Sequence, residues 1–214
     1  MKNGTQLNFC KNFIFDWSGT LVDDLGPVID STNKVFNHYG KKSFSRDEFC
    51  SNFCLPFEGF YKKFLPEASM SDLEDLYAKF FSESNESVHL LPGCLEILNK
   101  CKYYKMGVYL LSSIKHQHFV AQSKELNISG LFNGVYTEAL DNREWINRVL
   151  NEISLDVNDT VFVGDMKHDI DTANFADVFS VGVLTGYNSR EMLEESSPKL
   201  IVDDLFELSS IVFS

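Results

Sequence analysis

Phe13-Ile14-Phe15-Asp16-Trp17-Ser18-Gly19-Thr20 decides how the rest of the chain is read. Three apolar residues run into a carboxylate, and a Ser-Gly-Thr turn follows; a strand buried on both faces of a parallel sheet has this pattern. Comparable apolar runs recur at residues 106–111, 135–136, 160–163, 179–183 and 200–202. Helical spacing of apolar residues fills the gaps at 94–102, 118–126, 144–153, 170–175 and 190–195. Strand and helix alternating in this way predict βαβ units. The expected fold class is therefore α/β, with a doubly wound, Rossmann-like parallel sheet.

Residues 25–90 break the alternation. Val28, Ile29, Thr32, Val35, Phe36 and Tyr39 keep helical spacing between Pro27 and Gly40, which suit the first turn and the end of a helix. Ser45…Glu48 and Ser71…Glu74 read as capping boxes that open two further helices. Phe57, Phe60, Tyr61 and Phe64 form an aromatic stripe, and Leu91-Pro92-Gly93 closes the segment. The expectation is an all-helical domain, 25–90, inserted into an α/β core made of 1–24 plus 91–214.

The bulk composition limits the possible functions. A chain of 214 residues that is 44% hydrophobic supports one sizeable core, or a core with a small accessory domain. A net charge of −12 argues against a broad nucleic-acid or anionic-membrane surface, which needs clustered Lys and Arg. No stretch approaches the ~20 apolar residues of a membrane span, and MKNGTQLNFCKN lacks the apolar region of a secretory leader. Five cysteines (Cys10, Cys50, Cys54, Cys94, Cys101) without a CxxC pair read as reduced thiols of a cytoplasmic protein. Cys50 and Cys54 are spaced as a metal pair would be, yet no His or Cys lies near them in sequence.

In a doubly wound sheet, ligands bind beyond the carboxyl ends of the strands. The first run ends in Asp16, and the second in Ser112-Ser113-Ile114-Lys115. The 160–163 run is followed by Gly164-Asp165, with Asp169 four residues further on. Two carboxylates, a hydroxyl and a basic group suit phosphoryl transfer. Carboxylate and carbonyl oxygens hold Mg²⁺, a cation neutralises the transferring group, and an aspartate can attack phosphorus.

These residues resemble the haloacid-dehalogenase (HAD)-like hydrolase superfamily over nearly the whole chain. The family's D-x-D-G-T motif is matched by Asp16-Trp17-Ser18-Gly19-Thr20, its strand-terminal Ser or Thr by Ser112, and its G-D-x-x-x-D motif by Gly164-Asp165-Met166-Lys167-His168-Asp169. The helical insertion looks like the small cap of the phosphoglycolate phosphatase-like branch. The resemblance implies an Mg²⁺-dependent phosphatase acting on a small phosphorylated metabolite, with Asp16 as nucleophile. It implies Asp16, the Ser18 carbonyl and Asp165 as metal ligands, and Asp169 behind them. Asp169 also reads as an N-cap for the helix that follows. Ser112 would hold the phosphoryl oxygens, with Ser113 and Lys115 binding substrate.

The chain departs from the pattern twice. The family's third motif supplies a Lys, and residues 137–148 contain none; Arg143 is the candidate replacement, with Lys115 able to share its charge. Phosphatases of the family carry a second Asp where this chain has Ser18, a loss that removes a general acid–base worth roughly 10²–10⁴-fold. Phosphonoacetaldehyde hydrolases show D-W-A-G-T at that motif, and they use a cap Lys as a Schiff base. Lys62 or Lys63 is the nearest candidate for such a role. The alternatives are thus a carbon–phosphorus bond hydrolase, or a weakly catalytic protein that binds phosphometabolites. Trp17 and Trp145 are pocket or core candidates, with the core the better reading for Trp145. There is no GxGxxG, GxxxxGK[ST], GxSxG or HExxH, so dinucleotide, P-loop, serine-hydrolase and zincin readings drop out.

Overall fold

The computed structural model describes residues 7–84 and 87–213; the first six residues of the polar lead lie outside the described residues. Two compact units are present, one made of the chain up to Asp23 and from His89 onward, the other of Asp24–Val88.

The first unit is built on a strand, β1 (Asn12–Phe15), whose Phe13, Ile14 and Phe15 are fully buried. Five more strands pair in parallel around it: β4 (Gly107–Leu111), β5 (Gly134–Tyr136), β6 (Thr160–Gly164), β7 (Phe179–Val183) and β8 (Leu200–Val202). The order is β5-β4-β1-β6-β7-β8. Strand order therefore reverses at β1, which lies between β4 and β6. The register sets Phe15 opposite both Leu110 and Val163, so the residues after these three strands emerge side by side.

Helices α5 (Cys94–Tyr103) and α10 (Leu205–Val212) pack on one another, as do α7 (Asn142–Glu152) and α8 (Lys167–Phe175). The second pair covers the sheet through Ile146, Val149, Leu150 and Ala173, set against Ile14, Leu111 and Phe162. α6 (His116–Glu125) and α9 (Arg190–Glu194) complete the crossovers. Strand and helix positions follow the apolar runs to within a few residues. A two-residue antiparallel pair, β2 (Val22–Asp23) with β3 (His89–Leu90), has no sequence signal, because two residues are too few to show a period.

The second unit is helical: α1 (Leu25–His38), α2 (Arg46–Asn52), α3 (Phe57–Phe64) and α4 (Met70–Ser82). The capping box at Ser45 and Glu48 is formed. The box at Ser71 and Glu74 is not: the cap is Ser69, which accepts from the Asp72 N–H, so α4 begins before Ser71. A Ser inside the first turn mimics the box spacing in sequence, and only backbone geometry tells the two apart. The aromatic stripe becomes core, with Phe36, Phe44, Phe49, Phe60 and Phe64 making ring contacts 4.9–6.5 Å apart.

Trp17 is sealed inside the first unit. Its indole N–H donates to Gln122 Oε1 at 2.7 Å, and its ring meets Phe119 edge-on. Replacing Trp17 with Phe leaves the buried Gln122 oxygen without its donor and opens a void. The expected loss is about 2–4 kcal/mol in urea unfolding, part of it recovered by adding Gln122→Leu. No recovery in the double variant would mean that the hydrogen bond contributes nothing.

Candidate active site

Asp16 leaves the end of β1 and Asp165 the end of β6; Asp169 lies in the first turn of α8. All three are buried, and each offers an oxygen within 4.8 Å of the others. That separation is short enough for a single oxygen-ligated cation.

The surrounding backbone fixes these carboxylates. Asp165 accepts from the Thr20 hydroxyl at 3.0 Å and from the Tyr187 N–H at 2.7 Å. Gly19 and Gly186 press against the same carboxylate: a Cβ at either would stand 2.5 or 2.1 Å from Asp165 Oδ2. Gly19 also adopts φ +74°, a region open to glycine at no steric cost. Thr185 donates to the Gly19 carbonyl at 2.8 Å, tying the loop after β7 to the loop after β1. Asp169 Oδ2 accepts the Met166 N–H at 2.9 Å. Asp169 therefore caps α8 from within its first turn, and the N-cap residue itself is Met166. Its other oxygen, Oδ1, is buried without a hydrogen-bond partner.

Burial pushes the Asp16 carboxyl up to about 6, although the Trp17 N–H and the Ser112 hydroxyl both favour its charged form. Burial, then the charges of Asp16 and Asp165, raise Asp169 well above the ordinary carboxylate range. The donor set fits a hard divalent cation. It is all oxygen, it carries excess negative charge, and it includes a buried carboxylate oxygen that the protein leaves unmatched.

Ser112 follows β4, is buried, and bonds Asp16 through its hydroxyl. Ser113 is half-buried beside it, and Lys115 is exposed at the N-cap of α6. Ser18 is half-buried and pairs through its backbone with Val22. Arg143 stands at the start of α7, 44% exposed, with its guanidinium forked onto Asp141 at 2.9 and 2.7 Å. That fork holds the side chain in place and leaves the Nη1 donors outside it. Lys62 pairs with Glu58 and is 70% exposed, while Lys63 donates to Asn52; neither has the desolvated setting that makes an amine nucleophilic. Trp145 is half-buried under Arg148. Among the described residues, Cys50 and Cys54 gain no third metal ligand, and Cys10, Cys94 and Cys101 are buried thiols whose pKa burial raises.

A cleft of about 500 Å³, lined by Phe9, Asn158, Asp177, Phe179 and Lys199, lies at the amino ends of β6 and β7, away from the carboxylates. Sequence reading missed two residues beside the site. His168 accepts the Asn142 N–H on Nε2 at 3.1 Å and lies 3.7 Å from Asp141; burial holds its pKa down. Asn142 belongs to no motif, and His168 fills a variable position of G-D-x-x-x-D, so nothing in the sequence marks either.

Residues 13–183 match the description of haloacid dehalogenase-like hydrolases. The chain belongs to this family. It is a hydrolase by that membership and by its relatives. A phosphoglycolate phosphatase of Vibrio parahaemolyticus is 25% identical, covering 94% of this chain and 96% of its own length. A pyrophosphatase of Anoxybacillus flavithermus is 23% identical over 93% and 95%. A haloacid dehalogenase-like protein from Streptococcus pneumoniae shares the fold with a TM-score of 0.84 at 18% identity, over 94% of this chain and 98% of that one. Among the described residues, no helix is long and apolar enough to cross a membrane.

The raised carboxyls give the cation-free protein a defined pH response. The ordinary value of both groups is 3.8; folded, Asp16 is pushed up to about 6 and Asp169 is raised well above its ordinary value. The folded state thus holds protons that the unfolded chain has released, so this contribution falls as pH rises through that window and stays lost above it. Asp169→Asn should raise the melting temperature of the cation-free protein at pH 7–8 and flatten its decline above pH 4. Parallel pH curves for wild type and variant would show that no such repulsion exists.

Proposed function

We propose that this hydrolase is an Mg²⁺-dependent phosphatase that cleaves a small phosphorylated metabolite through a phospho-aspartate on Asp16. The observation that carries this reading is the convergence of Asp16, Asp165 and Asp169 at the strand-order reversal, with one buried carboxylate oxygen left unmatched. The curated relatives named as phosphoglycolate phosphatase and pyrophosphatase support it.

Asp16, the Ser18 carbonyl and Asp165 would hold the ion, with Asp169 orienting that group. When bound, the ion supplies charge neutralisation for the transferring phosphoryl group. Asp16, clamped by the Trp17 N–H and the Ser112 hydroxyl, presents one oxygen to phosphorus and displaces the leaving group in line. As the phosphoryl group binds, the Ser112 hydroxyl, with one proton to give, exchanges Asp16 for a phosphoryl oxygen, and Ser113 turns toward the same group. Arg143 or Lys115 contributes cationic charge, Arg143 through the Nη1 donors that its fork on Asp141 leaves over. Water then attacks the acyl phosphate and regenerates Asp16. Catalysis belongs to the α/β unit, and the helical unit takes the role of the inserted cap. The free thiols suit a reducing compartment, the cytoplasm.

A phosphoester and phosphonate panel with Mg²⁺ tests the reading. Activity should vanish on chelation and return with Mg²⁺. Asp16→Asn keeps the shape and loses the charge, so it should abolish both turnover and beryllofluoride trapping. Turnover that survives this substitution would move the nucleophile elsewhere.

Ser18 leaves the leaving group without an acid from this position. Ser18→Asp should therefore raise kcat by about 10-fold or more for alkyl phosphates, whose leaving alkoxides need a proton, and far less for nitrophenyl phosphates. Equal gains on both would mean that position 18 plays no part in proton transfer.

A further inference from the structure

A polar side chain sealed from water and left without a hydrogen-bond partner is uncommon and calls for a reason. Asn142 is such a residue. It is 1% exposed, and neither Oδ1 nor Nδ2 meets a partner. Its backbone, in contrast, is firmly held. The Asn142 N–H donates to His168 Nε2, and three residues earlier the Ala139 N–H donates to the Ser112 carbonyl at 3.2 Å. Ser112 bonds Asp16 through its hydroxyl, and His168 directly precedes Asp169. The turn that carries Asn142 is thus pinned to both segments whose polar groups surround Asp16.

Neither packing nor capping accounts for the amide. An apolar side chain would occupy the same place without burying polar atoms. The N-cap of α7 is already Asp141, which accepts the Arg143 N–H. A carboxamide nitrogen carries two donors, and the nonbridging oxygens of a phosphoryl group only accept. Charge-assisted hydrogen bonds of this kind are the strong ones.

We propose that the carboxamide of Asn142 is a phosphoryl-binding group of this site, its Nδ2 donating to a nonbridging oxygen of the bound substrate or phosphate. The inference rests on the phosphatase reading above and deepens it. The missing partner arrives with the ligand. Both amide atoms are closed to solvent, so the turn at 138–142 gives way slightly as the ligand enters. Asn142 adds a neutral, buried donor beside a guanidinium that is engaged elsewhere. A protein that keeps an unsatisfied buried amide exchanges stability for binding, a trade common at functional sites.

Inorganic phosphate is the probe, titrated calorimetrically in Mg²⁺ into wild type, Asn142→Ala and Asn142→Leu, with melting temperatures recorded without phosphate. The phosphate-free variants should melt at the wild-type temperature or about 2–4 °C above it, because no native hydrogen bond is removed. Their Kd for phosphate should rise about 10–100-fold, and their affinity for Mg²⁺ alone should hold. Asn142→Asp should bind phosphate more weakly still. Phosphate affinity within about twofold of wild type overturns the proposal and leaves the phosphatase reading standing. Lower melting temperatures or failure to fold in both variants mark a structural residue and also overturn it. A wild-type protein that binds no phosphate and turns over no phosphoester overturns both readings.

Discussion

Three carboxylates share a buried volume in which their oxygens approach to within 4.8 Å of one another. Like charges at that distance, out of water, cannot all remain ionised unless donors or a cation compensate. Much of the first unit can be understood as the answer to this constraint. The Trp17 N–H and Ser112 hydroxyl serve Asp16, the Thr20 hydroxyl and Tyr187 N–H serve Asp165, and the Met166 N–H serves Asp169. Three of these five donors are backbone groups, and all five stand in segments that follow strands of the sheet, so their placement follows from the sheet. What the donors do not cover, a divalent ion can.

The sheet makes the convergence possible. Because strand order reverses at β1, the loops after β4, β1 and β6 rise next to each other and bring their polar residues into one place. The apolar runs that build these strands tolerate exchange among similar residues, whereas the residues just beyond them do not. Gly19 and Gly186 are held to hydrogen as a side chain by the carboxylate that they touch. Packing and chemistry therefore press on different positions of the same short segments.

The parts of the structure with a period, or with a motif at fixed spacing, were legible in the sequence. The strands of the sheet, the helical insertion and the carboxylates at the strand ends all belong to this class. Parts that depend on a partner far away in sequence were not. Trp17 finds Gln122 across 105 residues, and nothing local announces either end. The Ser69 cap was hidden by a second Ser at a matching offset. Arg143 carries the charge expected of a phosphate clamp, but its neighbour Asp141 holds it, an outcome set by side-chain geometry alone. Asn142 is silent for a related reason. An Asn at the start of a helix reads as a solvated end, and only burial reveals it as an amide without a partner.

The link between the loop after β7 and the loop after β1 bears on how the protein is made. Thr185 reaches Gly19 across 166 residues, and the Tyr187 N–H reaches Asp165. A nascent chain that has not yet delivered Tyr187 lacks a donor to Asp165, and β7 has no place in the sheet before it emerges. β1, β4 and β6 can dock earlier, so a sheet with its carboxylates loosely placed precedes the ordered site. Closing contacts over such spans is slow because the loop entropy must be overcome first. Organisation of the acidic centre thus has to wait for the loop after β7, and the pocket takes its final form only after the strands that carry its carboxylates have been made.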